Sequence, residues 1–546
     1  MKRLSNYFYL LSLIGCLTLG TACSDDKKED DSVNKENPGQ EENEQPGTGD
    51  SDTKSEDKQV NELSFSILSD YYLWNDEYKA QKLDYDLDYV SFFEKGLKSL
   101  KTNTLDNRSY TVTDENGKEK IEYHLFSYIQ EVPDYATTRT SDGVDKEKVM
   151  SFGLVGLRPC LSDKNPNPIP DGFDCYVCFI IKGVHPETAA SNAGLDRGYI
   201  IDQIDGKDIR LSNYEDTYYN LLAPSSASSH SIHFFKLNED NYKSDISTKT
   251  ISCTPCYLNP IIKSQVEDVD GHKVGYLCYN SFDAGFDEEL LVELKRFKSE
   301  GISDLVLDLR YNLGGHVVSS CLLSSAIAGE YGKGKPFVKY RFNDTRMNDP
   351  KTQKSTNKLF GEYLSKETLK NSLSQAMLNL NKLYIIVSGS TASSSELVIN
   401  SLRGIDIDVY LIGQTTLGKN VGMEVFRVGK GEKQGSDLQK TYEIAPITFQ
   451  SYNAKGFGDY ENGFQPDLAV DELNPFHEKK GIRVYRPFGS QREYLYAFAL
   501  EQITGKTILE RPTAQTRGLV SPLGEVIETL PAPQLGTRGM IIYPEE

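Results

Sequence analysis

After its first twenty positions the chain has no apolar run long enough to cross a bilayer. Histidine is scarce at seven, tryptophan occurs once, and basic residues fall 20 short of acidic ones, 60 against 80. The charge deficit argues against nucleic acid as a partner, because phosphate backbones need basic surfaces. Cysteines number nine. With Cys16 and Cys23 at the N-terminus set apart, seven remain, and an odd number cannot pair completely within one chain. Two CxxC pairs, Cys175/Cys178 and Cys253/Cys256, lack the glycine-rich knuckles of a structural zinc site. CYVCFII reads as a strand, which points residues three apart to opposite faces. Buried thiols or a single disulfide are expected there, and no metal or cofactor.

The N-terminus reads as a targeting segment. Lys2 and Arg3 precede an apolar stretch, Tyr7 to Leu19, too short to span a membrane, which ends in LGTAC. This resembles a bacterial lipoprotein signal over residues 1–22, with Cys23 as the acylated residue, although Gly20 stands where the family usually has leucine. The acidic SDDKKEDD after Cys23 resembles a surface-export signal, so the expected location is the outer membrane, on its periplasmic face or at the cell surface. Residues 24–58 hold 13 Asp/Glu, 5 Lys and one sizeable aliphatic residue, Val33. Such a stretch cannot bury enough apolar surface to offset its ordering entropy, so residues 23–58 are predicted to be a disordered tether.

Hydrophobic patterning divides the rest of the chain. Residues 59–147 are predicted as a small helical region (VNELSFSILSDYYLW, YVSFFEKGLKSL). From 148 to 257, short strand-like runs surround one short helix, PETAASNAGL, closed by Gly194. FGLVG (Phe152–Gly156) and AGLDRGYIIDQIDGKDI from Ala193 resemble the PDZ domain of bacterial processing proteases, with Tyr199 in place of the usual aspartate and a polar insertion at about 161–174. The resemblance implies that Phe152, Gly153 and Leu154 hold a substrate's terminal carboxylate while the peptide adds as a strand. Residues 258–505 alternate strands and helices. SDLVLDLR is a near-continuous apolar strand of the buried parallel type, ending in DLRYNLGGH (Asp308–His316). Residues 506–546, rich in proline, are expected to add an edge strand or hang free.

The richest stretch is LYIIVSGSTASSSELVINSLRG followed by QTTLGKN. It reads as a buried strand, a turn of small residues, a helix starting near Ser393–Ser395, a second strand and a Gly418–Lys419 turn. A serine at a strand-to-helix turn lies where backbone N–H groups and the helix dipole favour an oxyanion. No histidine is near it, and Lys419 is the candidate base. On local chemistry alone Ser393, Ser394 and Ser395 are rivals, and Ser393-x-x-Glu396 also reads as a capping box. His316 and His477 keep a Ser–His arrangement open.

In their order along the chain, GYL–YNSF, DLRYNLGG, TASSSE, TLGK and GFQPDLAV closely resemble the S41 family of C-terminal processing peptidases, over roughly residues 60–505. The resemblance implies a multidomain α/β protein. Its parts would be an S41-type (ClpP/crotonase-like) protease core, an inserted PDZ-like β module and a small helical N-terminal domain. It assigns Ser393 as nucleophile, Lys419 as general base and Glu396 as the supporting acid. Ser393 and Lys419 lie 26 residues apart, one more than the family spacing. Ser394 and the Gly314–Gly315 turn would supply oxyanion donors. Lysine must be neutral to accept a proton, and burial beside Leu417 and Val421 would favour that form. The implied activity is a serine endopeptidase cutting proteins near their C-termini in the cell envelope. The alternative is a non-catalytic lipoprotein binding peptides or apolar ligands on the same scaffold.

Overall fold

A computed structural model describes residues 49–113, 119–133, 146–166, 168–237, 243–472, 485–509 and 540–542. Cys23, the targeting segment, most of the expected tether and His477 lie outside the described residues.

The α/β half is built on a six-stranded sheet in the order Ile261–Val269, His272–Tyr279, Asp304–Asp308, Lys382–Val387, Asp408–Gly413, Leu468–Ala469. The first pair is an antiparallel hairpin and every later pair is parallel. Helices cover both faces, which is why its strands are apolar at nearly every position. Alternate residues divide between two cores. Leu277, Leu305, Leu307, Ile385 and Leu411 face the helices Asp287–Glu300, Val317–Ala328 and Ser394–Gly404. Tyr276, Val306, Ile386 and Ile412 face the helix Tyr494–Thr504. Helix Asp287–Glu300 carries three acidic residues in its first turn, favoured by the dipole, and stops at Gly301, whose φ is 70°.

Residues 149–256 form a separate seven-stranded sheet whose path runs Val149–Ser151, Lys243–Cys256, Ser228–Leu237, Ile200–Ile204, Val177–Val184, Leu154–Leu161. The short helix Ala189–Asn192 ends at Gly194 (φ 82°), and helix Tyr214–Leu222 packs against the outermost strand Leu154–Leu161. No disulfide joins Cys160, Cys175, Cys178, Cys253, Cys256, Cys278 or Cys321. Cys178 packs with Cys160, whereas Cys253 belongs to the module's main core, so the two CxxC motifs do not converge. Among the described residues no His/Cys/Asp/Glu group could hold a metal ion.

The N-terminal region differs from its expected form in two ways. Its first helix runs Gly49–Tyr71, ten residues into the stretch expected to be a disordered tether. No proline interrupts residues 50–71, and Val60, Ile67 and Leu68 bury one face, so the acidic start becomes the first turns of a packed helix. After helix Tyr89–Lys98, capped by Asp88, the region turns to strands: Asn107–Thr113, Glu119–Leu125 and Tyr128–Val132. Tyr128–Val132 pairs with Thr441–Ala445 of the α/β half. The region is not an independent body, because Val60, Leu68, Phe93 and Leu97 share one core with Val421, Met423, Ile444 and Ile447.

A second six-stranded sheet runs Gly315–His316, Met540–Ile542, Val421–Glu424, Ile447–Tyr452, Pro336–Arg341, Asn357–Leu359. The distal strand Met540–Ile542 is not at an edge. It is inserted between two others and is buried on both faces.

Candidate active site

The strand Lys382–Val387 delivers a turn that is bolted to the end of its neighbour Asp304–Asp308. Thr391 Oγ1 donates to Leu309 O at 2.8 Å, Ser388 Oγ donates to Arg310 O, and Ala392 N–H donates to Asn312 O at 3.1 Å. Ser393 follows with φ 59°, a left-handed conformation that costs a non-glycine residue about 1–3 kcal/mol and persists only where surroundings over-determine it. The helix Ser394–Gly404 then begins.

The three rival serines separate by their hydrogen bonds. Ser394 Oγ donates to Gly315 O at 2.7 Å and Ser395 Oγ donates to Asn312 O at 3.0 Å. Ser393 Oγ is buried and donates to no acceptor among the described residues; it faces the N–H of Glu396 in the capping box that the sequence suggested. A buried hydroxyl whose proton finds no acceptor costs free energy, and at a reactive site that is the condition of a group waiting for substrate.

Glu396 joins the serine turn to the lysine turn. Its Oε2 accepts the N–H of Ser393 at 2.9 Å and that of Lys419 at 2.8 Å. Its Oε1 accepts Gly418 N–H and Thr416 Oγ1, both at 2.6 Å. Burial pushes this carboxyl above its ordinary range, and the four donors pull it back. Sequence reasoning expected Glu396 to steady the lysine. It does so through the backbone, and Ser393 and Lys419 share one oxygen.

Lys419 is buried, at 4% exposure. Gly418 precedes it with φ 88°, and a Cβ there would lie 2.2 Å from Glu461 O, so only glycine fits the turn. Val421 is buried as expected, and the amine lies over the ring of Phe126, with Nζ 4.5 Å from the ring centroid. Arg108 donates to the carbonyls of Glu461 (3.0 Å), Leu417 (3.4 Å) and Gly418. Asp106 is fully buried beneath Phe126. It accepts the N–H groups of Phe126 and Ser127 and the hydroxyls of Ser127 and Tyr72. Burial raises its pKa, and Ser127, Tyr72 and the nearby Lys419 side chain oppose the rise. Sequence reasoning missed Asp106, Arg108 and Phe126. They precede Lys419 by about 300 residues, and no local pattern marks them.

The glycine turn meets the serine directly. Gly314 (φ 108°) is so close that a Cβ on it would lie 2.9 Å from Ser393 Cβ. Its N–H donates to Asn312 Oδ1 at 2.8 Å and is engaged there, Gly315 is paired with Met540 on the neighbouring strand, and Ser394 opens the helix that follows the turn. His316 is buried and its Nδ1 accepts Ala284 N–H at 3.1 Å, so that nitrogen is not turned toward a serine. In the β module Phe152, Gly153 and Leu154 are all buried. Gly153 N–H donates to Ser151 Oγ at 2.9 Å, and Phe152 O accepts Ala190 N–H.

One loop of that module reaches the catalytic sheet. Arg197 sits in a buried cluster with Glu472 (2.5 Å) and Glu493 (3.3 Å), which Arg310 also binds at 2.9 and 2.7 Å. Asp308 completes it against Arg310 at 2.6 Å. Burial works against Glu493, but Arg310 and Arg197 hold its carboxyl below the ordinary range.

This arrangement can be set beside known proteins. Residues 273–470 match peptidase family S41. The chain is 25% identical over 322 residues to the carboxyl-terminal-processing protease of Picosynechococcus sp., covering 58% of this chain and 65% of that protein. It is 22% identical over 354 residues to the carboxy-terminal processing protease CtpB of Bacillus subtilis, covering 61% and 65%. Each match spans just under two thirds of the relative. A crystal structure of a presumed S41 protease from Bacteroides fragilis shares the fold, with TM-score 0.58 and 23% identity over 81% of this chain and 97% of that one.

Proposed function

We propose that the chain is a serine endopeptidase of the Ser–Lys type, cutting proteins near their C-termini in the cell envelope, where lipid on Cys23 tethers it to the outer membrane. The observation that carries this reading is the shared Glu396 carboxylate, which clamps the turn bearing a buried Ser393 hydroxyl whose proton is donated to no acceptor to the turn bearing buried Lys419. In the reaction, Ser393 Oγ attacks the scissile carbonyl carbon as its proton passes to the neutral Lys419 amine. The developing oxyanion takes the N–H groups of Ser394 and Gly315. The proton on Lys419 then goes to the departing amine nitrogen as the C–N bond breaks, and water repeats the sequence on the acyl-enzyme. Lysine and serine suffice as acid, base and nucleophile, so the steps need no cofactor.

The β module would capture the substrate's end in the manner of a PDZ domain. Supporting this, Leu154–Leu161 is the outermost strand of its sheet and helix Tyr214–Leu222 lies against it, the geometry in which a peptide adds as a further strand. The test is digestion of an unfolded protein by the purified chain. Wild type should cleave it. Ser393→Ala and Lys419→Ala should each be inactive with unchanged circular dichroism. Full activity in Ser393→Ala would refute the assignment.

A further inference from the structure

A peptide that adds as a strand beside Ser393 needs an open strand edge there, and the two edges that flank the reacting residues are both covered. One is Gly315–His316, continuous with the glycine turn that touches Ser393. The other is Val421–Glu424, which begins two residues after Lys419. They do not pair with each other. Met540–Ile542 lies between them, parallel to both, with Met540 opposite Gly315, Ile541 opposite His316 and Met423, and Ile542 opposite Glu424. Removing it would leave two facing edges about 9.5 Å apart, twice the strand spacing and the width of a single strand.

The side chains in this slot are sorted by the pleat. Met540 and Ile542 enter the core beneath helix Val317–Ala328, and Ile541 enters the core shared with the N-terminal helices. The slot therefore accepts three consecutive apolar residues in extended form, with separate pockets for the outer pair and the middle one. Met540 lies next to the glycine turn, so an occupant has backbone beside the oxyanion donors.

We infer that this slot is the strand-binding site for substrate peptide, and that Met540–Ile542 is an internal occupant that an apolar extended peptide must displace. The inference rests on the peptidase reading above and adds both a sequence preference and a self-imposed restraint. The closed and open forms are then two populations, and activity scales with the open fraction.

The test uses the full chain with Ile541→Asp, which places a charge in an apolar core, together with the synthetic peptide Gly539–Glu546. Cleavage of an unfolded protein should rise at least about fivefold in the variant. The peptide should then raise KM without changing kcat. With Ser393→Ala added, fluorescein-labelled peptide should bind the Ile541→Asp chain and not the chain that keeps Ile541. A variant that loses activity while its Tm falls would overturn the inference, because the strand would then be part of the fold. So would an active variant that ignores the peptide. Absence of cleavage in every form, with peptide binding retained, would instead refute the peptidase reading and leave the slot standing.

Discussion

The two halves of the candidate active site are held in different ways. The Ser393 turn is fastened by its own neighbourhood, with Leu309, Arg310, Asn312 and Gly315, all from the segment that follows the strand Asp304–Asp308, accepting its hydrogen bonds. The Lys419 turn is fastened from far away, by Arg108 on its carbonyls and Phe126 against its amine, both from the N-terminal region. Glu396 is the single side chain that belongs to both. The serine side is thus a property of the α/β core, whereas the lysine side requires that core to be joined to a second region. The proposed nucleophile and its proposed base thus come from separately held parts of the chain, joined by one carboxylate.

The largest expected effect comes from breaking either half chemically. Ser393→Ala and Lys419→Ala should each lower kcat by roughly 10⁴-fold or more, and the double variant should be no worse than either alone. Steady-state rates on one substrate decide this. Additive losses would mean that the two residues do not act as a unit. Next comes the brace. Glu396→Gln turns an acceptor into a donor facing backbone N–H groups, and should cost about 2–4 kcal/mol in urea unfolding as well as most of the activity. Intact stability in this variant would contradict the four hydrogen bonds.

Arg108→Ala sharpens the comparison because it touches only the lysine side. Its kcat should fall about tenfold with KM and Tm nearly unchanged, since the turn loses carbonyl anchors without losing its core. An effect on KM instead would place Arg108 in substrate binding. The smallest effects are in pH. Glu493 behind the serine side is held below its ordinary range, so its contribution is complete above about pH 5 and is lost as pH falls through the folded value. The stability gap between wild type and Glu493→Gln should therefore be flat from neutral pH to about pH 5 and shrink in stronger acid. Asp106 behind the lysine side is raised, so its contribution is complete below about pH 4 and is lost as pH rises. Wild type should lose stability relative to Asp106→Asn on going from pH 4 to pH 8, and the opposite slope would contradict its buried setting.

The same contrast governs what the sequence made legible. The serine turn could be read because its strand, small-residue turn and helix are contiguous, and periodicity reports contiguous structure. Choosing Ser393 over Ser394 and Ser395 needed a family register, since only the folded chain reveals which hydroxyls are already bonded. The parallel strands were legible because burial on both faces leaves continuous apolar runs. The strand 128–132 was not, and the distal strand 540–542 was anticipated only as an edge strand or free tail, because three to five residues carry too little pattern to show where they pair. The tether boundary misled because charge composition says nothing about the apolar face that Val60, Ile67 and Leu68 give the same helix. Phe126 and Arg108 were invisible because their role exists only once two remote segments meet.

The central claim is that Ser393 is activated by Lys419 across the Glu396 brace. The most direct test is mass-spectrometric mapping after treatment with a fluorophosphonate that labels activated serines. A single adduct on Ser393, absent from Lys419→Ala, is the result expected. An adduct on Ser394 or Ser395, or undiminished labelling of Ser393 in Lys419→Ala, would contradict it.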